Sequence, residues 1–235
     1  MKLLPLSFIL LFLPHPGLWA QDARIIRVKA GADARKVIPV PERYRYANFQ
    51  PGTVAFYNGS TAKATLNYSV LLGEMHFIDP TGDTLSLANE QTIKRIDVGS
   101  DVFYYDPKSG FLEVVADYSP MKLAIKREMK IVAGEREGGY NQSSGASAIR
   151  TYKSLATANG QVQRLEVKGD MLLTKDEAYF LIDGNNQAFR ADKSGIQKAF
   201  PKHRKEIDAY LKAHDLNLRQ EQDLKQLLQF CRELA

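Results

Sequence analysis

Between residues 121 and 131 the side chains alternate. Met121, Leu123, Ile125, Met129 and Ile131 fall on one face, and Lys122, Lys126, Glu128 and Lys130 on the other. Successive residues of a strand point to opposite faces, so this pattern predicts a long β-strand with one wet side. Arg127 is the exception, a charge on the apolar face. Upstream, shorter runs predict strands at 53–57, 61–68, 74–78, 84–87, 92–98, 102–105 and 111–118. Turn residues separate them. Asn58-Gly59 suits a tight hairpin because both residues tolerate positive φ, and the runs 79–83, 99–101 and 106–110 are rich in Asp, Pro, Ser and Gly.

Residues 25–28 hold a short apolar cluster that reads as an edge strand or a loose arm, and 37–51 as an extended approach segment. Residues 134–148 offer Gly, Ser and Gln but no apolar face, which predicts a loop or linker that proteases reach first. Strands resume at 162–167, 171–174 and 178–182, and after the turn residues 183–186, at 188–190. The period then lengthens. Residues 194–197 resemble a capping box, Pro201 suits a first helical position, and Ile207, Tyr210 and Leu211 share a helical face. Residues 217–220 resemble a second capping box, opening a final helix with the stripe Leu224, Leu227, Leu228 and Cys231. The expected fold is α+β and mainly β: an antiparallel roll, sandwich or open barrel with a C-terminal helical extension packed on the sheet. Its expected divisions are 1–20, 21–51, 52–132, 133–148, 149–191 and 192–235.

The first twenty residues carry an address. Met1-Lys2 precedes an apolar run, 3–13, then the helix breakers 14–17 and the small residue Ala20. This is the pattern of a secretory signal peptide cleaved before Gln21. The run is too short to span a bilayer, so no transmembrane segment is expected in the mature chain. No Cys follows it, so no lipid anchor is expected either. The single cysteine, Cys231, leaves no internal disulfide. An exported chain of this size without one fits a bacterial periplasm or secreted fraction. The formal charge of +5, of which Lys2 leaves with the leader, does not call for a nucleic-acid partner.

Two blocks carry a resemblance. Residues 46–89 include Gly52-Thr53-Val54, Leu66-Asn67-Tyr68, Gly73-Glu74-Met75 and Gly82-Asp83-Thr84-Leu85, and the second block runs from Phe200-Pro201-Lys202-His203 through the final helix. Together they are similar to a group of uncharacterised exported proteins of Bacteroidota. The resemblance implies a compartment and no catalytic residue.

Candidate chemistry is sparse. His76, His203 and His214 lack a second His or Cys at ligand spacing, so no metal and no cofactor is expected. There is no Gly-x-Ser-x-Gly elbow and no Gly-rich phosphate loop. Cys231 on an apolar stripe reads as core. Glu74, Asp83, Glu113 and Asp117 could pair for glycan or peptide hydrolysis, although solvated strand faces also explain them. Aromatic density suggests a sugar- or peptide-binding surface at Tyr57, Tyr104 and Tyr105. Lys198, Lys202, Arg204 and Lys205 form a basic tail suited to weak contact with an anionic membrane surface. The expected role is a non-enzymatic binding or scaffold protein of the cell envelope, its partner an envelope protein or glycan. The alternative is a hydrolase of an envelope polymer using strand-borne carboxylates.

Overall fold

A computed structural model describes residues 25–135, 137–138, 142–143 and 170–234. The expected leader, residues 1–20, and the expected strand at 162–167 lie outside them. The described chain is mostly antiparallel sheet with helices near its C-terminus, and the sheet is open.

In chain order the strands are β1 Ile26–Val28, β2 Gln50–Phe56, β3 Thr61–Ser69, β4 Glu74–Ile78, β5 Thr84–Ser86, β6 Ile93–Val98, β7 Asp101–Asp106, β8 Gly110–Tyr118, β9 Met121–Glu135, β10 Glu137–Gly138, β11 Gln142–Ser143, β12 Asp170–Ile182 and β13 Ala188–Arg190. The helices are α1 Ala34–Val37, α2 Val40–Arg43, α3 Lys193–Ala199, α4 Arg204–His214 and α5 Glu221–Leu234. The main sheet runs β1-β12-β9-β8-β7-β6-β2-β3-β4-β5, with β13 also on β12. Most neighbours are consecutive hairpins, which is why turn residues located them. Gly59, at φ +87°, makes the β2–β3 turn that Asn58-Gly59 predicts.

Three local readings are corrected. The approach segment 37–51 is not continuously extended, because α2 forms one helical turn within it and α1 ends at its first residue. The expected strands 171–174 and 178–182 are one strand, β12, whose polar middle is held by cross-strand pairs: Arg127 to Glu177 at 3.1 Å, and Lys130 to Asp176. Within the expected loop 134–148, β9 continues to Glu135, and β10 pairs with β11; the rest of that stretch is outside the described residues.

The sheet curls on itself. Val70, just after β3, accepts from the Met129 amide of β9 at 3.0 Å, and the Tyr68 hydroxyl donates to the Arg127 carbonyl at 2.9 Å. The inner face therefore holds two cores. One gathers Leu66, Met75, Ile96, Phe103, Met129 and Leu173, and is completed by Val28, Ala34 and Ile38 of the N-terminal segment. The other gathers Met121, Leu123 and Leu181 with Ile196, Ile207, Leu224, Leu227, Leu228 and Cys231 of the helices. The apolar face of β9 thus feeds both, Met129 one and Met121 with Leu123 the other.

The helices begin elsewhere than the capping boxes suggest. Asp192, not Ser194, caps α3, its carboxylate accepting from Gly195 N at 2.8 Å. Pro201 lies in the turn before α4, which starts at Arg204. Asn217 makes a turn with Arg219 N (3.0 Å), ahead of α5. No helix among the described residues is long and apolar enough to cross a membrane.

Candidate functional site

The boundary between the two cores is charged. Glu113, on β8 opposite Ile125 of β9, is 5% exposed. Residue Tyr44 bridges to Ser69, and Arg45 N donates to the Tyr68 carbonyl at 2.9 Å, so the approach segment enters the curl beside β3. From there Arg45 grips Glu113 with both prongs, at 2.8 and 3.0 Å. Arg127 reaches the same carboxylate from β9 with one prong and Glu177 with its Nε at 3.1 Å. Tyr46 donates to Asp101 at 2.7 Å, and Asp101 lies 3.8 Å from Arg45. Two guanidiniums on one carboxylate fix it in place. Glu113 raises the pKa of Arg45 further above its already high value. Burial, and then the bond to Asp101, push Tyr46 well above the ordinary phenol range. A cavity of about 210 Å³ opens beside this cluster, lined in part by Tyr44, Arg45, Val70, Arg127 and Glu177.

A second polar chain links the approach segment to the sheet edge. The Tyr44 hydroxyl lies 3.0 Å from His76 Nδ1, and His76 Nε2 lies 3.3 Å from Glu74, which also accepts from Ser86 at 2.7 Å. A carboxylate only accepts, so in the neutral ring Nε2 carries the proton and Nδ1 accepts from Tyr44. The bonds from His76 and Ser86 hold the Glu74 carboxyl below its usual range. Ser86 donates a hydrogen bond to the Glu74 carboxylate, so the chain ties β4, β5 and Tyr44 together.

The carboxylates proposed for hydrolysis are each engaged separately: Glu113 by arginines, Glu74 by His76, Asp83 in the exposed turn with Thr81 (3.3 Å), Asp117 by Ser119 at 2.8 Å. Among the described residues no group of three or more His, Cys, Asp or Glu could hold a metal ion. The expected aromatic surface does not converge. Tyr104 and Tyr105 are adjacent on β7 and point to opposite faces. Tyr105 packs on Phe111 at 5.1 Å, Tyr104 sits beside Leu112 and Phe180 with the Lys122 ammonium 5.8 Å from its ring, and Tyr57 is exposed beyond the end of β2. The basic residues Lys198, Lys202, Arg204 and Lys205 are all exposed, around the junction of α3 and α4.

Arg45, Asp101 and Arg127 were not expected as a group. Their trace in the sequence is the lone Arg127 on the apolar face of 121–131 and the lone Glu113 inside the apolar run 111–115. Joining them needs the curl, which no local pattern encodes. No protein-family model, no curated protein and no solved structure matches the chain.

Proposed function

We propose that this chain is a non-enzymatic binding protein of the bacterial cell envelope that takes an extended segment of a partner protein along the free edge of β5. One observation carries the reading. Among the described residues β5 ends the sheet, pairing only with β4, and Thr84, Leu85 and Ser86 are all exposed, Leu85 by 45%. The backbone groups of Asp83 and Leu87 face β4, through Asp79 N to Asp83 O at 2.9 Å and Leu87 N to Met75 O at 2.8 Å. Alternation then turns the Thr84 and Ser86 amides outward, available to a further strand. The hydrolase reading has less support, since its four carboxylates serve four separate structural roles.

The test is a photo-crosslinking residue at Leu85 in cells, with one at Lys108 in an exposed turn as control. A discrete adduct at Leu85 that disappears with Thr84→Pro is the expected result, because proline removes an outward amide and no ladder bond. Identical adducts at both positions would sink the proposal. The envelope location rests on the leader, and an exported form beginning at Gln21, read by mass spectrometry, is the expected outcome; a mature protein that retains Met1 contradicts it.

A further inference from the structure

We propose that the junction of α3 and α4 docks the protein on an anionic phospholipid bilayer, independently of the β5 edge. Residues 198–205 contain Lys198, Lys202, Arg204 and Lys205 and no acid, and all four cations are exposed. Several cations elsewhere are each matched by an acid: Arg45 and Arg127 by Glu113, Lys130 by Asp176, Lys175 by Glu42 at 2.8 Å. Of the acids that follow in α4, Glu206 is exposed and Asp208 is engaged by Gln197 at 3.1 Å and Lys193 at 3.7 Å, so cations outnumber acids across residues 198–212. Arg204 is pinned through Nε to the Gln197 carbonyl at 3.1 Å, which fixes one charge at the centre of the patch.

The shape of the patch selects the occupant. Ile207, Tyr210 and Leu211 belong to the helical core, so the opposite side of α4 faces outward. At 100° per residue Lys205 and Lys212 both lie on that outer side, two turns apart, and Lys212 is exposed. The charges are thus spread over a helix end, a turn and the outer side of a helix. A single phosphate needs donors that converge on a concavity. A plane of head groups needs cations spread as these are. Phe200 is packed in the helical core, which leaves no bulky side chain to insert. Attachment is therefore electrostatic and reversible by salt.

Flotation of the full chain with phosphatidylglycerol–phosphatidylcholine vesicles tests this, pure phosphatidylcholine vesicles measuring whatever the apolar leader contributes. Each cation near an anionic surface is worth about fivefold in association, so the triple variant Lys198→Glu, Lys202→Glu, Lys205→Glu should bind at least about tenfold more weakly. The control triple Lys63→Glu, Lys94→Glu, Lys108→Glu has the same net charge and should bind like the parent. At about 0.5 M salt, where the screening length is about 4 Å, binding should vanish. Equal loss in both variants, equal binding to both vesicles, or binding that survives salt overturns the proposal. Displacement from vesicles by a short DNA duplex at matched charge assigns the patch to nucleic acid and overturns it too.

Discussion

Glu113 is the residue on which the two halves of the inner face meet. Its carboxylate is buried, and its partners Arg45 and Arg127 keep 32% and 21% of their side chains exposed. Replacing it by Gln preserves shape but leaves two guanidiniums facing a neutral amide. Breaking a buried pair from one side costs about 3–5 kcal/mol, and the partial exposure of both arginines lowers the expected loss to about 2–3 kcal/mol. Glu177→Gln removes a half-exposed partner of the same Arg127 and should cost no more than about 0.5 kcal/mol. Urea unfolding of the two variants checks the contrast; equal losses would show that Glu113 is no keystone. Cys231 is 2% exposed and its thiol is pushed up to about 12 by burial. It should react with an aqueous thiol reagent only as fast as α5 opens, and Cys231→Ser should cost about 1–2 kcal/mol for burying a hydroxyl. Rapid labelling of the folded protein contradicts that. Gly195 is a third single-residue constraint, since a Cβ there would meet the Arg190 carbonyl oxygen at 1.8 Å. Backbone cannot yield as a side-chain tip can, so Gly195→Ala should displace α3 from β13 and lower the melting temperature far more than Gly184→Ala, where an added Cβ meets nothing within 4 Å.

At the scale of elements, the C-terminal helices complete the sheet. Each is short enough to be marginal alone in water, and each buries a stripe. Ile196, Ile207, Leu224, Leu227 and Leu228 are at most 1% exposed. At roughly 1.5–3 kcal/mol per buried side chain their packing outweighs the ordering of three helices. Truncation after Ala191 should therefore bare Leu123 and Leu181, lower the melting temperature and reduce solubility. A truncated chain that stays monomeric with an unchanged melting temperature would show the helices to be an appendage. These stripes were legible in the sequence because helical periodicity is a local property, and so were the hairpins marked by Asn58-Gly59 and by residues 106–110. The start of α3 was not. Ser194 looks like a cap, but Asp192 two residues earlier has the reach to Gly195 N, and only the β13–α3 junction decides between them. The continuity of β12 was likewise hidden, because Lys175, Asp176 and Glu177 read as a break until Lys130 and Arg127 of β9 pair with Asp176 and Glu177. The β5 edge was legible as a strand, but that it ends the sheet is a fact of strand order.

At the scale of the molecule, the segment before β2 works as a strap across the open curl. It starts as β1 against β12, contributes Ala34 and Ile38 to the first core, and ends bound to His76 and Glu113. Its hold depends on pH in a direction that the groups themselves fix. Glu74 is held below its usual range by His76, Asp33 by Arg35 and Asp117 by Ser119. A carboxyl with a depressed folded pKa binds fewer protons folded than unfolded, so its contribution is complete above the unfolded value near 4 and is lost as pH falls through the folded value. Melting temperature should thus drop as pH falls below about 4, and Glu74→Gln should make the drop shallower. On the alkaline side burial raises Cys231 to about 12 and also raises Tyr46 and Tyr68. These groups keep their protons in the fold when the unfolded chain has lost them, so stability is full below the unfolded values of about 8.5–10 and falls as pH rises beyond them. Tyr68 donates its proton to the Arg127 carbonyl and Tyr46 to Asp101, so ionising either breaks a bond that ties the strap or the curl. Phenolate absorbance should therefore show a late step coincident with the loss of sheet circular dichroism. Ionisation of all eleven tyrosines with the sheet signal intact would mean that the curl opens freely, and that these hydroxyls do not hold it shut.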